Sequence, residues 1–96
     1  MTGYVLTPRA RADIEDIWDY TAVHWNVRQA ETYIRHIQAA IEAVADEPGI
    51  ARSCAEVRKG YFKFPAESHV VFFRLTQDGV EVVRILHGRM DFERHL

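Results

Sequence analysis

From Ala10 onward apolar residues return at three- and four-residue steps, Ala10, Ile14, Ile17, Trp18, Thr21 and Trp25, the spacing of one face of an amphipathic helix. Thr7-Pro8 supplies the start. Thr is a good N-cap, and proline suits the first helical position because the N–H it lacks would have no partner there. The pattern predicts a helix from Pro8 to Trp25 with Trp18 and Trp25 in the core and Tyr20 off the stripe. Asn26, with Gln29 three residues on, repeats the start signal, and Ala30, Tyr33, Ile34, Ile37, Ile41 and Val44 mark a second apolar face. Pro48-Gly49 ends that helix, and so short a connection between the two predicts an antiparallel helical hairpin.

The period then changes. Tyr4-Val5-Leu6 ahead of the helices, and residues 56–59, 61–65, 70–75 and 80–87 behind them, are short segments rich in Val, Phe and Tyr. Gly60, Ala66-Glu67-Ser68 and Gln77-Asp78-Gly79 separate them. Short connections predict an antiparallel sheet with one face under the hairpin, giving a single α+β domain over residues 1–96 in the order β-α-α-β-β-β. The register of the 70–87 hairpin stays open. A tight turn at Asp78-Gly79 sends Arg74 and Arg84 to opposite faces; a three-residue loop from Gln77 to Gly79 puts them on one face with His69 across from His87.

Composition narrows the functional classes. Fourteen acids against 12 bases give a formal charge of −2, which argues against attraction to nucleic acid in bulk and against direct sequence-specific binding of it. The distribution is uneven: residues 13–20 carry four acids and no base, whereas Arg52, Arg58, Lys59, Lys63, Arg74, Arg84, Arg89 and Arg94 lie in the second half. No apolar run approaches the roughly 18 residues of a membrane helix. One cysteine, Cys54, and no signal-like N-terminus point to the cytoplasm, with Cys54 as a small packing residue.

Five histidines raise the question of a metal, but their spacing brings together only His69 and His87, with no carboxylate or thiolate placed to complete a set. We expect no metal and no cofactor. The aromatic set Trp18, Tyr20, Trp25 and Tyr33 is expected to pack and not to stack on bases. Lys63, His69, Arg84 and Arg89 as cations, with His87 or His95 as acid or base, could in principle cleave RNA. The same side chains equally suit a protein-binding face.

Leu6-Thr7-Pro8-Arg9-Ala10, Asp16-Ile17-Trp18-Asp19-Tyr20, Trp25 with Gln29-Ala30 and Tyr33, Pro48-Gly49, Gly60-Tyr61, the run 68–74 and Ile85-Leu86-His87-Gly88-Arg89-Met90-Asp91 together resemble the ParE-type toxins of type II toxin–antitoxin systems, in the RelE/ParE superfamily. That resemblance implies a small cytoplasmic toxin held in a hetero-oligomer by a ParD-type antitoxin and acting on DNA gyrase by binding. Within that reading we expect target contacts from Arg84, His87, Arg89, Met90 and Asp91, with the tail to Leu96, and the basic second half of the chain leads us to expect antitoxin acids against Arg58, Arg74 or Arg84. RelE-like relatives instead cut ribosome-bound mRNA, using a basic set on the sheet and an aromatic acid/base near the C-terminus. Here His69 stands about where their strand-entry Arg would be, and residues 91–96 hold Phe92 and His95 but no Tyr, which leaves His95 as the acid such chemistry would need. A third reading is a module that binds antitoxin without toxicity. Being polar and terminal, residues 92–96 are expected to contribute little stability unless Phe92 docks in the core.

Overall fold

The computed structural model of the chain describes residues 3–90 and 92–96. Strand β1 (Gly3–Leu6) leads into helices α1 (Pro8–His24) and α2 (Val27–Asp46); a 3-10 turn at Pro48–Ile50 follows, then β2 (Arg52–Ser53), β3 (Tyr61–Ala66), β4 (His69–Thr76), β5 (Gly79–His87) and a short α3 (Phe92–His95). The sheet order is β1-β5-β4-β3-β2. β2 to β5 run antiparallel, as expected, but β1 joins β5 in parallel, so the sheet is mixed.

Both helix starts follow the predicted chemistry. Thr7 Oγ1 accepts from the Ala10 N–H at 3.1 Å, and Asn26 Oδ1 accepts from the Gln29 N–H at 2.8 Å. Thr7 also joins helix to sheet. β1 covers β5 only as far as Val82, and beyond it the β5 edge needs other partners. The Thr7 N–H donates to Val82 O at 3.0 Å, Thr7 Oγ1 donates to Val83 O at 2.8 Å, and Asp13 Oδ2 accepts from the Ile85 N–H at 2.9 Å.

Each face of the sheet has its own cluster. Ala10, Ile17, Ile37, Ile41 and Val44 from the helices pack on Val71, Phe73, Val80, Val82 and Ile85. On the other side Cys54, Phe72 and Leu86 are buried beneath Tyr61, Val70, Phe92 and Leu96. Burial pushes the Cys54 thiol up from its ordinary range, consistent with a packing role.

Three expectations are corrected. Residues 56–59 form a turn and not a strand, because the N–H groups of Val57 and Arg58 both bond the Cys54 carbonyl; the edge strand is Arg52–Ser53, paired with Phe62 and Lys63. Trp25 is 71% exposed: the helix has ended at His24, so the periodicity no longer carries this ring to the packed face. Trp18 is half-buried and stands outside both clusters. As for register, the turn is Gln77-Asp78, with Thr76 opposite Gly79, and a bulge at Val83 shifts the pairing by one so that Phe72 meets Arg84 and His69 meets His87. Arg74, two residues from Phe72, therefore shares a side with Arg84. Gly79 has no room for a side chain: at φ 145° an added Cβ would sit 2.2 Å from the Gly3 carbonyl oxygen.

Candidate interaction surfaces

Among the described residues, two clefts beside the sheet take in three of the predicted contact residues, His87 in one and Arg58 and Arg84 in the other. The larger, of about 720 Å³, opens between the hairpin and the start of β4, lined by residues that include Asp16, Tyr20, Trp25, Tyr33, His69 and His87. The smaller, about 320 Å³, lies by the C-terminus among Thr7, Arg58, Tyr61, Arg84, His95 and Leu96.

α2 builds the larger cleft by clasping the β3–β4 turn. Tyr33 and His36, one helical turn apart, both reach it. Tyr33 Oη accepts from the Ser68 N–H at 3.0 Å and lies 2.6 Å from His69 Nδ1, while His36 Nδ1 lies 2.6 Å from the carboxylate of Glu67. Glu67 has φ 58°, a left-handed conformation unusual for a residue with a side chain, and the His36 contact helps hold it. The direction of the Tyr33–His69 hydrogen bond follows the His69 tautomer, the phenolic oxygen being able both to donate and to accept. Burial pushes the His69 pKa below its ordinary value, and the neighbouring His87, in edge contact at 5.2 Å between ring centres, pushes the same way; Asp13 opposes them. His87 Nδ1 in turn accepts from the Arg89 N–H at 3.1 Å, and the His87 carbonyl accepts from the Met90 N–H at 2.9 Å. This ring therefore shapes the turn that leaves Arg89 and Met90 on the surface. Asp91 lies outside the described residues.

Arg84 organises the smaller cleft. It makes a two-pronged pair with Asp13, Nε to Oδ2 at 2.8 Å and Nη2 to Oδ1 at 2.9 Å, and its Nη1 donates to the His95 carbonyl at 3.2 Å. The two side chains are only 12% and 13% exposed. The hydrogen bonds and charge of Asp13 raise the Arg84 pKa despite its burial, so it is a fixed cation. Arg58 donates to the Leu96 carbonyl, and Arg74 pairs with Glu81 on the surface. All three arginines expected at a partner interface thus hold acceptors of their own chain. Phe92 does dock: its ring meets Phe72 edge-on at 4.6 Å, with Lys63 above it at 5.9 Å.

The residues proposed for RNA cleavage do not share one cleft. His69 and His87 line the larger cleft, Arg84 and His95 the smaller, and Lys63 and Arg89 line neither. Sequence reasoning passed over Asp13 and the pairing of Tyr33 with His69. Asp13 stood out only as one of the acids on α1, and its partner is 71 positions away.

Comparison with known proteins fits this architecture. Residues 4–92 match the family described as the ParE toxin of type II toxin–antitoxin systems, parDE. Over 94 residues the chain is 50% identical to toxin ParE1 of Mycobacterium tuberculosis, covering 97% of this chain and 96% of that protein. It is 43% identical to toxin ParE1 of Caulobacter vibrioides over 100% and 99% of the two chains, and 33% identical to toxin ParE of Escherichia coli over 100% and 94%. The solved structure of a chromosomal ParDE system from P. aeruginosa superposes with a TM-score of 0.79 over 91% of this chain and 96% of that one, at 18% identity, a likeness of fold. Full-length identity and a shared architecture place the chain in the ParE toxin family of type II toxin–antitoxin systems.

Proposed function

We propose that this chain is a cytoplasmic toxin that stops growth by binding DNA gyrase and is neutralised by a ParD-type antitoxin in a hetero-oligomer. The observation that carries the reading is identity of 50% along nearly the whole chain to a protein named as a ParE1 toxin. Action by binding and not by catalysis is supported by the scatter of the candidate set, with His69 and His87 at one cleft, Arg84 and His95 at the other, and Lys63 and Arg89 at neither. Arg89 and Met90 form the exposed part of the target surface, with Asp91 beside them in sequence. His87 and Arg84 act from beneath, the first by shaping the turn and the second by holding the tail through the His95 carbonyl. Toward the antitoxin, Arg58 and Arg74 engage only some of their five N–H donors internally and can receive acids from a wrapping segment. Raising salt from ~0.05 to ~0.5 M should then slow association several-fold and leave dissociation nearly unchanged.

Induced expression with transcript analysis tests the reading. Growth arrest with intact messages and a DNA-damage response, reversed by co-expressed ParD-type antitoxin, is expected. Cleavage within translated codons would replace it with a ribosome-dependent ribonuclease, and normal growth at high soluble yield with an antitoxin-binding module lacking toxicity.

A further inference from the structure

The tip of the helical hairpin is apolar where folding does not require it. Tyr20, Val23, Trp25 and Val27 are 61%, 79%, 71% and 52% exposed, so half of the large apolar side chains exposed among the described residues fall within eight consecutive positions. The turn itself needs only the Trp25 backbone, whose N–H closes α1 on the Thr21 carbonyl at 2.9 Å. The indole contributes nothing to that bond and stands over the larger cleft.

The rest of the cleft says what could cover it. No lysine or arginine lines it. Burial and the neighbouring His87 ring, in edge contact at 5.2 Å, favour the neutral form of His69, which Tyr33 contacts at 2.6 Å. Its one carboxylate, Asp16, is exposed and makes no hydrogen bond or ion pair among the described residues, and Asp19 is exposed one turn along the same helix. Aromatic faces beside an unpaired carboxylate attract a cation, because ring quadrupole and charge act with the same sign. They disfavour a phosphate or an acidic segment. The walls are also set in advance: Tyr20 stacks on His24 with ring centres 3.8 Å apart, and Tyr33 is fixed by its two bonds, so little side-chain freedom is lost on binding.

We infer that this cleft is a docking surface for a partner protein's segment that presents an arginine or lysine beside an apolar anchor, the cation lying between Asp16 and the rings of Tyr20 and Trp25. The surface shares no lining residue with the tail-side cleft, and the inference holds whichever molecule the toxin attacks.

Two synthetic peptides test it against the full-length, isotope-labelled chain by NMR: acetyl-Gly-Arg-Leu-Arg-Leu-Gly-amide and a twin with both arginines replaced by glutamate. The arginine peptide should shift the signals of Asp16, Tyr20, the Trp25 indole, Tyr33 and His69, and the glutamate twin should leave them in place. Trp25→Ala, which keeps its fold because the ring is exposed, should weaken binding about tenfold or more, and Asp16→Asn about threefold. Equal binding of the twins, shifts centred on Tyr61 and Leu96, undiminished binding by Trp25→Ala, or binding of neither peptide would overturn the inference.

Discussion

The two sides of the sheet are closed by different means. Under the hairpin, two long helices place a continuous apolar cluster on Val71, Phe73 and Ile85, and side-chain volume does the holding. On the other side Cys54, Phe72 and Leu86 lie beneath a four-residue helix whose Phe92 ring meets Phe72, with Arg84 donating to the His95 carbonyl and Arg58 to the Leu96 carbonyl that follows it. A packed face of the first kind tolerates few changes and carries no message. A thin, polar-anchored cover can position exposed groups such as Arg89 and Met90 without itself being the bulk of the fold.

If that contrast is right, the largest effect belongs to the hairpin side. Phe73→Ala removes a fully buried ring and should destabilise the domain by about 3 to 5 kcal/mol, a large share of the roughly 5 to 15 kcal/mol of a small domain, in denaturant unfolding. Next comes the seam between the two sides. Arg84→Ala leaves the largely buried Asp13 carboxylate with the Ile85 N–H alone and should cost about 3 kcal/mol, whereas Asp13→Ala combined with Arg84→Ala should cost less than the sum of the single changes. A loss below about 0.5 kcal/mol for Arg84→Ala would mean that the pair is ornamental.

Phe92→Ala comes third. The ring is half-buried, so stability should fall by only about 1 to 2 kcal/mol, while growth arrest on expression should fall far more because the tail is no longer held. Proportionate losses in stability and toxicity would erase the distinction between cover and core.

The smallest effect concerns pH. The folded-state pKa of His69 lies below its unfolded value of 6.5, so the unfolded chain takes up the proton first as pH falls. The stability linked to neutral His69 is complete above that value and is lost as pH drops through 6.5 toward the folded-state pKa. Thermal unfolding between about pH 7.5 and about pH 5.5 should show a steeper decline for the unaltered chain than for His69→Gln, and parallel declines would remove His69 from the account.

These outcomes depend on features that the chain discloses unequally. The helices and their caps were legible because their determinants are local: Thr7 and Asn26 bond backbone groups three residues away. The α+β class and most strands followed from the change of period. Misreadings came where a non-local partner decides. Residues 56–59 have a plausible strand composition, yet two of their N–H groups turn back on Cys54. The Val83 bulge resolves the His69–His87 pairing through a register shift that no residue pattern announces. The site divides in the same way. The charged candidates were visible as charges, but that Arg84 faces Asp13, or that Tyr33 meets His69, depends on contacts 71 and 36 positions apart.

The most direct test of action by binding from the tail side is DNA gyrase supercoiling in the presence of the purified chain and of an Arg89→Ala, Met90→Ala double variant. Both residues are exposed, so the variant should unfold within about 0.5 kcal/mol of the unaltered chain. The account predicts inhibition by the unaltered chain, relief of that inhibition by a ParD-type antitoxin, and little or no inhibition by the variant. Supercoiling untouched by the unaltered chain over a broad concentration range, or inhibited equally by the variant, would contradict it.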